Sequence, residues 1–342
     1  MWALSLSAHE VAAVQALTHE IALEHKSVEE AQFIRRAVVY AHELPRRVRE
    51  FLSDFKLLEP TCGVCLISGY PIDNDRLGKT PAHWKWKLDA ATSLEEQIMF
   101  VLFGCLLGDP FAWATQQDGY LMHDVFPIED DRYEQLGSGS EQPLWWHSED
   151  AFHPHRADYL GLMCLRNPDG VGTMIGAPDI SRLSPEHVDL LFEPRYLIKP
   201  DESHLEKNES DLRKQARGQD GVLESAYKRI KELNSAPPKV PMLFGSRQAP
   251  YVRLDPYFTT PLDDEAGAAL NALAQSVDDT IQEIALQPGD CIFIDNYRVV
   301  HGRKAFKARY DGTDRWLKRI NLTRDLRKSH GSRSGCEMRV MM

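Results

Sequence analysis

From about Phe111 onward the 342-residue chain breaks into short β-prone runs separated by turn residues: FAWATQ, PLWWHSE, DYLGLMCL, TMIG, RYLIKP, YVRLDPYF, CIFIDN and RWLKRINLT. One helical pattern interrupts them, from Asp263 to about Ile281, with Ala266, Leu270, Leu273, Ala274 and Val277 on one stripe. Parallel strands need crossover helices between them, and this spacing supplies almost none. It therefore predicts a β-sandwich or barrel over residues 111–327 and argues against a βαβ fold.

Residues 1–110 carry the opposite texture. Ser7 is placed to cap a helix whose Val11, Val14, Leu17 and Ile21 fall near one face. Further helical stretches run from Ala31 to Leu44 and from Pro45 through Phe55, and an apolar one opens at Ser93 and closes at Gly108 and Pro110. A strand is expected around Val64 to Ile67. The stretch DESHLEKNESDLRKQARGQDG, residues 201–221, is charge-dense and weakly patterned, which suits a lid over a site. The basic tail, 328–342, reads as loose. With no repeat and no convincing linker, residues 1–342 are expected to form a single domain.

With 40 Lys and Arg against 51 Asp and Glu, the net charge is −11, which disfavours polyanionic partners such as nucleic acid or an anionic membrane. No apolar run reaches the roughly 18 residues of a membrane span. The amino terminus lacks a basic leader region and meets His9 and Glu10 early, so a cytoplasmic protein is expected. Of six cysteines only Cys62 and Cys65 form a C-x-x-C, with no second pair, and they read as reduced cysteines in a buried strand. Oligomeric state is not legible.

The chemistry-bearing signal is His147-Ser148-Glu149, at the end of a β-prone run. Residues i and i+2 of an extended segment point the same way, so an imidazole and a carboxylate converge. A Pro-Gly turn in LQPGDCIFIDNYRVVHGR launches a second strand that reaches His301, 152 residues beyond Glu149. Two histidines and one carboxylate are the facial ligand set of non-haem iron(II) oxygenases. H-x-E alone is a weak signal, and the neighbouring His153 and His155 read as solvated rings in a turn. Arg315 follows His301 by 14 residues, with Arg319 on the same strand face. Taken alone, both arginines would read as surface ion-pair partners.

Longer stretches add to this. ELPRRVREFL, FAWATQQDG, WHSEDAFHPHRADYLGLMCLRNPDG, LFEPRYLIKPDESHL, FIDNYRVVHGR and FKARYDGTDRWLKRINLTRDL resemble the clavaminate-synthase-like branch of Fe(II)/2-oxoglutarate-dependent dioxygenases. They are most similar to the arginine hydroxylases of viomycin- and streptothricin-type antibiotic pathways. The resemblance spans about residues 43–327. It implies a mainly β fold with α additions: a double-stranded β-helix (jelly-roll, cupin-like) core flanked by helices. It further implies iron held by His147, Glu149 and His301, with 2-oxoglutarate and O₂ as co-substrates and Thr173 and Arg315 holding 2-oxoglutarate. By the same resemblance Gln116 and Glu149 lie near the substrate α-amino group and Arg319 on its α-carboxylate. Asp201, Ser203 and Asp255 would then meet the side-chain cation. One departure concerns specificity: where the viomycin-type hydroxylase places a second acid two residues after the first, this chain has Tyr257 after Asp255. Its hydroxyl and aromatic face replace a negative charge. The run before His147, GSGSEQP, also differs.

The expected function is hydroxylation at Cβ or Cγ of a free basic amino acid, L-arginine first, coupled to conversion of 2-oxoglutarate into succinate. An arginine desaturase, or a hydroxylase of lysine, asparagine or another amino acid, uses the same ligand set. A metal-free amino-acid-binding or interaction protein is the reading from a different class, and the intact His147, Glu149, His301 and Arg315 weigh against it.

Overall fold

The structure is a computed structural model that describes residues 1–86, 90–216 and 221–342. Its main strands, in chain order, are β1 (Trp2–Ser5), β2 (Val64–Ser68), β3 (Asp109–Trp113), β4 (His123–Val125), β5 (Leu144–His147), β6 (Tyr159–Arg166), β7 (Thr173–Gly176), β8 (Gln282–Ile284), β9 (Cys291–Asp295), β10 (Val300–Arg303), β11 (Trp316–Thr323) and β12 (Val340–Met341). The main helices are α1 (Ala8–Glu24), α2 (Ala31–Ala41), α3 (Arg46–Leu58), α4 (Leu94–Cys105), α5 (Pro185–Phe192), α6 (Gly221–Ser235) and α7 (Asp264–Asp278).

Two sheets form the core. The larger runs β1-β2-β9-β6-β11-β3-β12, with β4 also paired to β11; the smaller runs β8-β7-β10-β5. Side-chain alternation along the long strands sorts the layers. Leu160, Leu162, Ile292, Ile294 and Leu317 meet Ile175 of the smaller sheet in one apolar cluster. Alternate residues of the same strands, Tyr159, Met163, Cys291, Phe293 and Ile320, pack instead on α1–α4, through Ile98, Phe100 and Phe103 among others. Behind the smaller sheet, Trp146 and Val300 pack with Leu191 of α5, Ile230 of α6 and Leu270, Leu273 and Val277 of α7. This helix–sheet–sheet–helix order is the helix-flanked jelly roll expected. It explains why β6 and β9 read as continuous apolar runs: both faces are buried.

Local signals placed several elements correctly. Ser7 and Glu10 form a reciprocal capping box at α1. The Pro-Gly turn before β9 holds Gly289 at φ 91°, where a Cβ would lie 1.8 Å from the Tyr70 carbonyl oxygen, so no other residue fits.

Other readings are corrected. The amino-terminal part opens with a strand: β1 pairs in parallel with β2, Trp2 opposite Cys65. Helix α6 escaped the sequence reading, although Leu223, Ala226, Tyr227, Ile230 and Leu233 form its buried stripe. The tail is not loose. Val340–Met341 joins the sheet edge beside Ala112 and Trp113, and buried Arg333 donates to the carbonyls of Leu326, Cys336 and Met338. His153 is no solvated ring either; it is buried edge-on against Trp113, centroids 4.6 Å apart. The charge-dense stretch holds turns at Glu202–His204 and Glu206–Asn208 and a short helix at Asp211–Ala216, while 217–220 of the expected lid lie outside the described residues. Among the described residues the cysteines are free, with Cys65 buried in β2, and no helix is long and apolar enough to cross a membrane.

Candidate active site

The open end of the jelly roll holds a cleft of about 860 Å³, its mouth included, and all eleven residues singled out by the sequence line it. His147 ends β5 and His301 sits directly across from it in β10. A bulge between His301 and Arg303 crowds the two strands. Gly302 tolerates this because a Cβ there would lie 2.7 Å from the Leu144 carbonyl oxygen. The ring centroids of His147 and His301 are 4.5 Å apart.

Glu149 reaches the same point by a different route from the one its spacing suggests. The strand stops at His147, and Glu149 opens the following turn. Ser148 is pinned by exchange with Leu254 in both directions. Asn296, fully buried, accepts from the Glu149 amide at 2.6 Å and donates to the Glu149 and Ala157 carbonyls. The turn closes with Asp150 in the left-handed region, φ 49°. Convergence thus comes from a clamped turn, and Asn296 sits in the same FIDN run that leads to His301.

The donor set fits a metal ion. Glu149 Oε2 lies 3.3 Å from His301 Nε2 and 3.7 Å from His147 Nε2, close to the roughly 3 Å between neighbouring ligand atoms bonded at about 2.1 Å. His147 Nδ1 faces the Trp145 carbonyl oxygen at 2.7 Å, so Nδ1–H donates outward and the Nε2 lone pair faces the cleft. Burial would raise the Glu149 pKa, but Arg319 and the two imidazoles outweigh it and hold the carboxyl well below the usual range. Three ligands on one side leave positions open for co-substrate and O₂.

Beyond this triad Arg315 is buried and, among the described residues, has no carboxylate partner. Its Nη2 donates to Thr173 Oγ1 at 3.1 Å and its Nε finds no hydrogen-bond partner among the described residues. Burial lowers its pKa to about 10. An unpaired buried guanidinium is costly unless an anion completes it, and a carboxylate matches its fork. Arg319 is not free in the same way. It donates to Glu149 Oε1 (2.5 Å) and Gln116 Oε1 (3.0 Å), and one Nη faces His123 Nδ1 at 2.7 Å.

Asp201, Ser203 and Asp255 line the same cleft. Among the described residues neither aspartate has a lysine or arginine within ion-pair distance. Burial pushes Asp255 up to about 6, against the pull of His147 and helped by the like charge of Asp201. Ser203 Oγ accepts from Gln116 Nε2 at 2.6 Å. Tyr257 is 54% exposed on the rim, stacked edge-on with Phe258.

The sequence reading missed Asp150, His204, Asn296, His123 and Arg303. Two of these stand beside named motif residues, Asp150 after Glu149 and His204 after Ser203. Arg303 is buried and donates to the carbonyls of Gly137, Gly139 and Gln142, bracing the loop that forms one wall.

Comparison with known proteins agrees with this geometry. Residues 88–321 match the family described as taurine catabolism dioxygenase TauD, TfdA family. The chain is 45% identical over 344 residues to enduracididine beta-hydroxylase of Streptomyces hygroscopicus, covering all of both chains. It is 44% identical over 347 residues to L-ornithine/L-arginine 3-hydroxylase of Catenulispora acidiphila, again over both full lengths. Among solved structures it resembles the non-heme iron oxygenase OrfP in complex with Fe, succinate and (3S)-hydroxy-L-Arg, with TM-score 0.92, 46% identity and 99% of each chain covered.

Proposed function

This chain belongs to the TauD/TfdA dioxygenase family and is an iron(II)- and 2-oxoglutarate-dependent dioxygenase, and from that premise we propose that its substrate is a free basic amino acid, L-arginine first, hydroxylated at Cβ or Cγ. The observation that carries the substrate class is the pair Asp201 and Asp255, two carboxylates with no lysine or arginine within ion-pair distance among the described residues, lining the same cleft as Arg319 and Gln116. A zwitterion with a cationic side chain complements that arrangement end to end.

His147, Glu149 and His301 would hold the iron. Bound there with 2-oxoglutarate and O₂, it supplies the oxidising chemistry that inserts one oxygen into an unactivated C–H bond while 2-oxoglutarate becomes succinate and CO₂. The protein's own part is placement. Arg315 and Thr173 take the far carboxylate of 2-oxoglutarate. Arg319 takes the substrate α-carboxylate, Gln116 and Glu149 its α-amino group, and Asp201, Ser203 and Asp255 its side-chain cation. Held at both ends, the substrate presents its β and γ carbons to the metal, and the orientation of one C–H bond sets the outcome. The same reading takes residues 1–342 as one dioxygenase domain. A metabolite co-substrate and a free amino acid support a cytoplasmic setting, with specialised-metabolite synthesis as its context.

The test is incubation of the iron-loaded protein with 2-oxoglutarate and, separately, arginine, ornithine, lysine, enduracididine and asparagine, followed by mass spectrometry and succinate measurement. A gain of one oxygen on a basic amino acid with matching succinate is expected. Preference for asparagine, or succinate formation indifferent to every amino acid, would overturn the assignment.

A further inference from the structure

Behind the cleft lies a second buried cluster that the reaction does not use directly. The His204 side chain is fully buried, bonded through Nδ1 to Thr115 Oγ1 (2.7 Å) and through Nε2 to Asp150 Oδ1 (3.0 Å). Its ring stands edge-on to Phe152 and Trp113, centroids 5.0 and 5.8 Å away. Asp150 is itself held by Trp113, whose Nε1–H donates to Oδ2 at 2.5 Å. Each polar member of this cluster is the chain neighbour of a cleft residue: Thr115 of Gln116, Asp150 of Glu149, His204 of Ser203.

We propose that His204 is a positioning residue, a plug that fastens the head of the 201–216 segment to the turn carrying Glu149 and so sets Asp201 and Ser203 at a fixed distance from the iron ligands. The proposal rests on the reading that Asp201 and Ser203 meet the substrate. His204 is the one buried side chain of residues 201–208, and the rest of that stretch is half-exposed or exposed and, Leu205 apart, polar, with too little apolar surface to hold itself down. A merely space-filling core position would take an apolar side chain. This one satisfies both ring nitrogens on two separate elements, one of them the residue after an iron ligand. The left-handed backbone of Asp150 fits the same picture, because a non-glycine residue there persists only where its surroundings hold it. Freed from its socket, the segment would still cover the cleft but would no longer set where the substrate's cationic end rests.

The experiment is amide hydrogen exchange on the full-length protein and on the variants His204→Ala, Thr115→Val and His204→Gln, with steady-state kinetics alongside. In His204→Ala, exchange over residues 201–210 should rise at least about tenfold while β6 and β11 stay unchanged. Thr115→Val, nearly the same shape, should show a smaller rise at the same residues. KM for the amino acid should rise roughly tenfold or more with KM for 2-oxoglutarate within about twofold, and His204→Gln should recover part of both effects. Unchanged exchange at 201–210 in both His204→Ala and Thr115→Val overturns the proposal whatever the activity. If β6 and β11 also loosen in His204→Ala, Thr115→Val decides. If exchange responds as stated but the wild-type protein oxidises no basic amino acid, the plug stands and the substrate reading fails.

Discussion

Arg319 and Glu149 share a hydrogen bond of 2.5 Å between Nη1 and Oε1, while the other oxygen of the same carboxylate faces His301 and His147. One side chain therefore joins the proposed substrate-binding end of the cleft to the metal-binding one. Deleting it removes one of the three metal-binding donors and leaves the Arg319 guanidinium without its carboxylate partner. Glu149→Ala should lower turnover by more than the roughly 10- to 100-fold typical of losing a group that merely supports a ligand. Iron titration and circular dichroism check this: iron binding should be lost with the secondary structure intact.

Arg315 calls for a different signature. Without its guanidinium a bound carboxylate sits buried and unpaired, a loss of about 2–5 kcal/mol. Arg315→Ala should raise the 2-oxoglutarate requirement by roughly 30-fold or more and the amino-acid requirement far less. Thr173→Val removes one neutral hydrogen bond and should cost only about 1 kcal/mol. Separate KM measurements for the two substrates give the comparison, and equal effects on both would remove Arg315 from the 2-oxoglutarate end.

Asp255→Ala should weaken the basic amino acid by roughly 3–5 kcal/mol, because a desolvated cation loses its counter-charge. Isothermal titration with the anaerobic protein would report it. Unchanged affinity would exclude Asp255 from substrate recognition.

The pKa of Asp255 turns the same residue into a pH prediction. Its carboxyl is raised from 3.8 to about 6, so in the free enzyme it is neutral below pH 6 and cannot pair with a cation. The kcat/KM for a basic amino acid should fall as pH drops through 6, and Asp255→Asn should lack that limb. Stability has the opposite sign. A raised folded-state pKa contributes stability below the unfolded value of 3.8, and that contribution is lost as pH rises through 6. Asp255→Asn should therefore stabilise the substrate-free protein at pH 8, by up to roughly 3 kcal/mol, in denaturant unfolding.

Asn296 is the structural test of the clamped turn. Replacing it with alanine strands the Glu149 amide and the Glu149 and Ala157 carbonyls in a buried site. A loss of about 2–3 kcal/mol in stability is expected, seen as a lower denaturant midpoint with an unchanged slope. Iron affinity should fall with it, since the turn carries a ligand.

What was readable in the chain was what depends on near neighbours. The helix cap at Ser7, the apolar runs of β6 and β9 and the Pro-Gly turn at Gly289 are local, and sequence reasoning found each of them. The tail was misread because a two-residue strand has no periodicity of its own: Val340 and Met341 are a strand only because Ala112 and Trp113 offer a free edge. His153 was misread because its burial depends on Trp113, forty residues earlier in the chain.

By itself the sequence determined the ligand types, the β-rich core and the eleven residues that line the cleft, because spacing, side-chain chemistry and a long resemblance are properties of the chain. Only the tertiary structure decided how they meet. Glu149 faces the histidines through a turn fastened by Asn296, 147 residues away, and His204 finds Asp150 and Thr115 from 54 and 89 residues off. Those pairings follow from sheet register and loop packing, where satisfying every buried polar group selects one arrangement, and no local pattern encodes that choice.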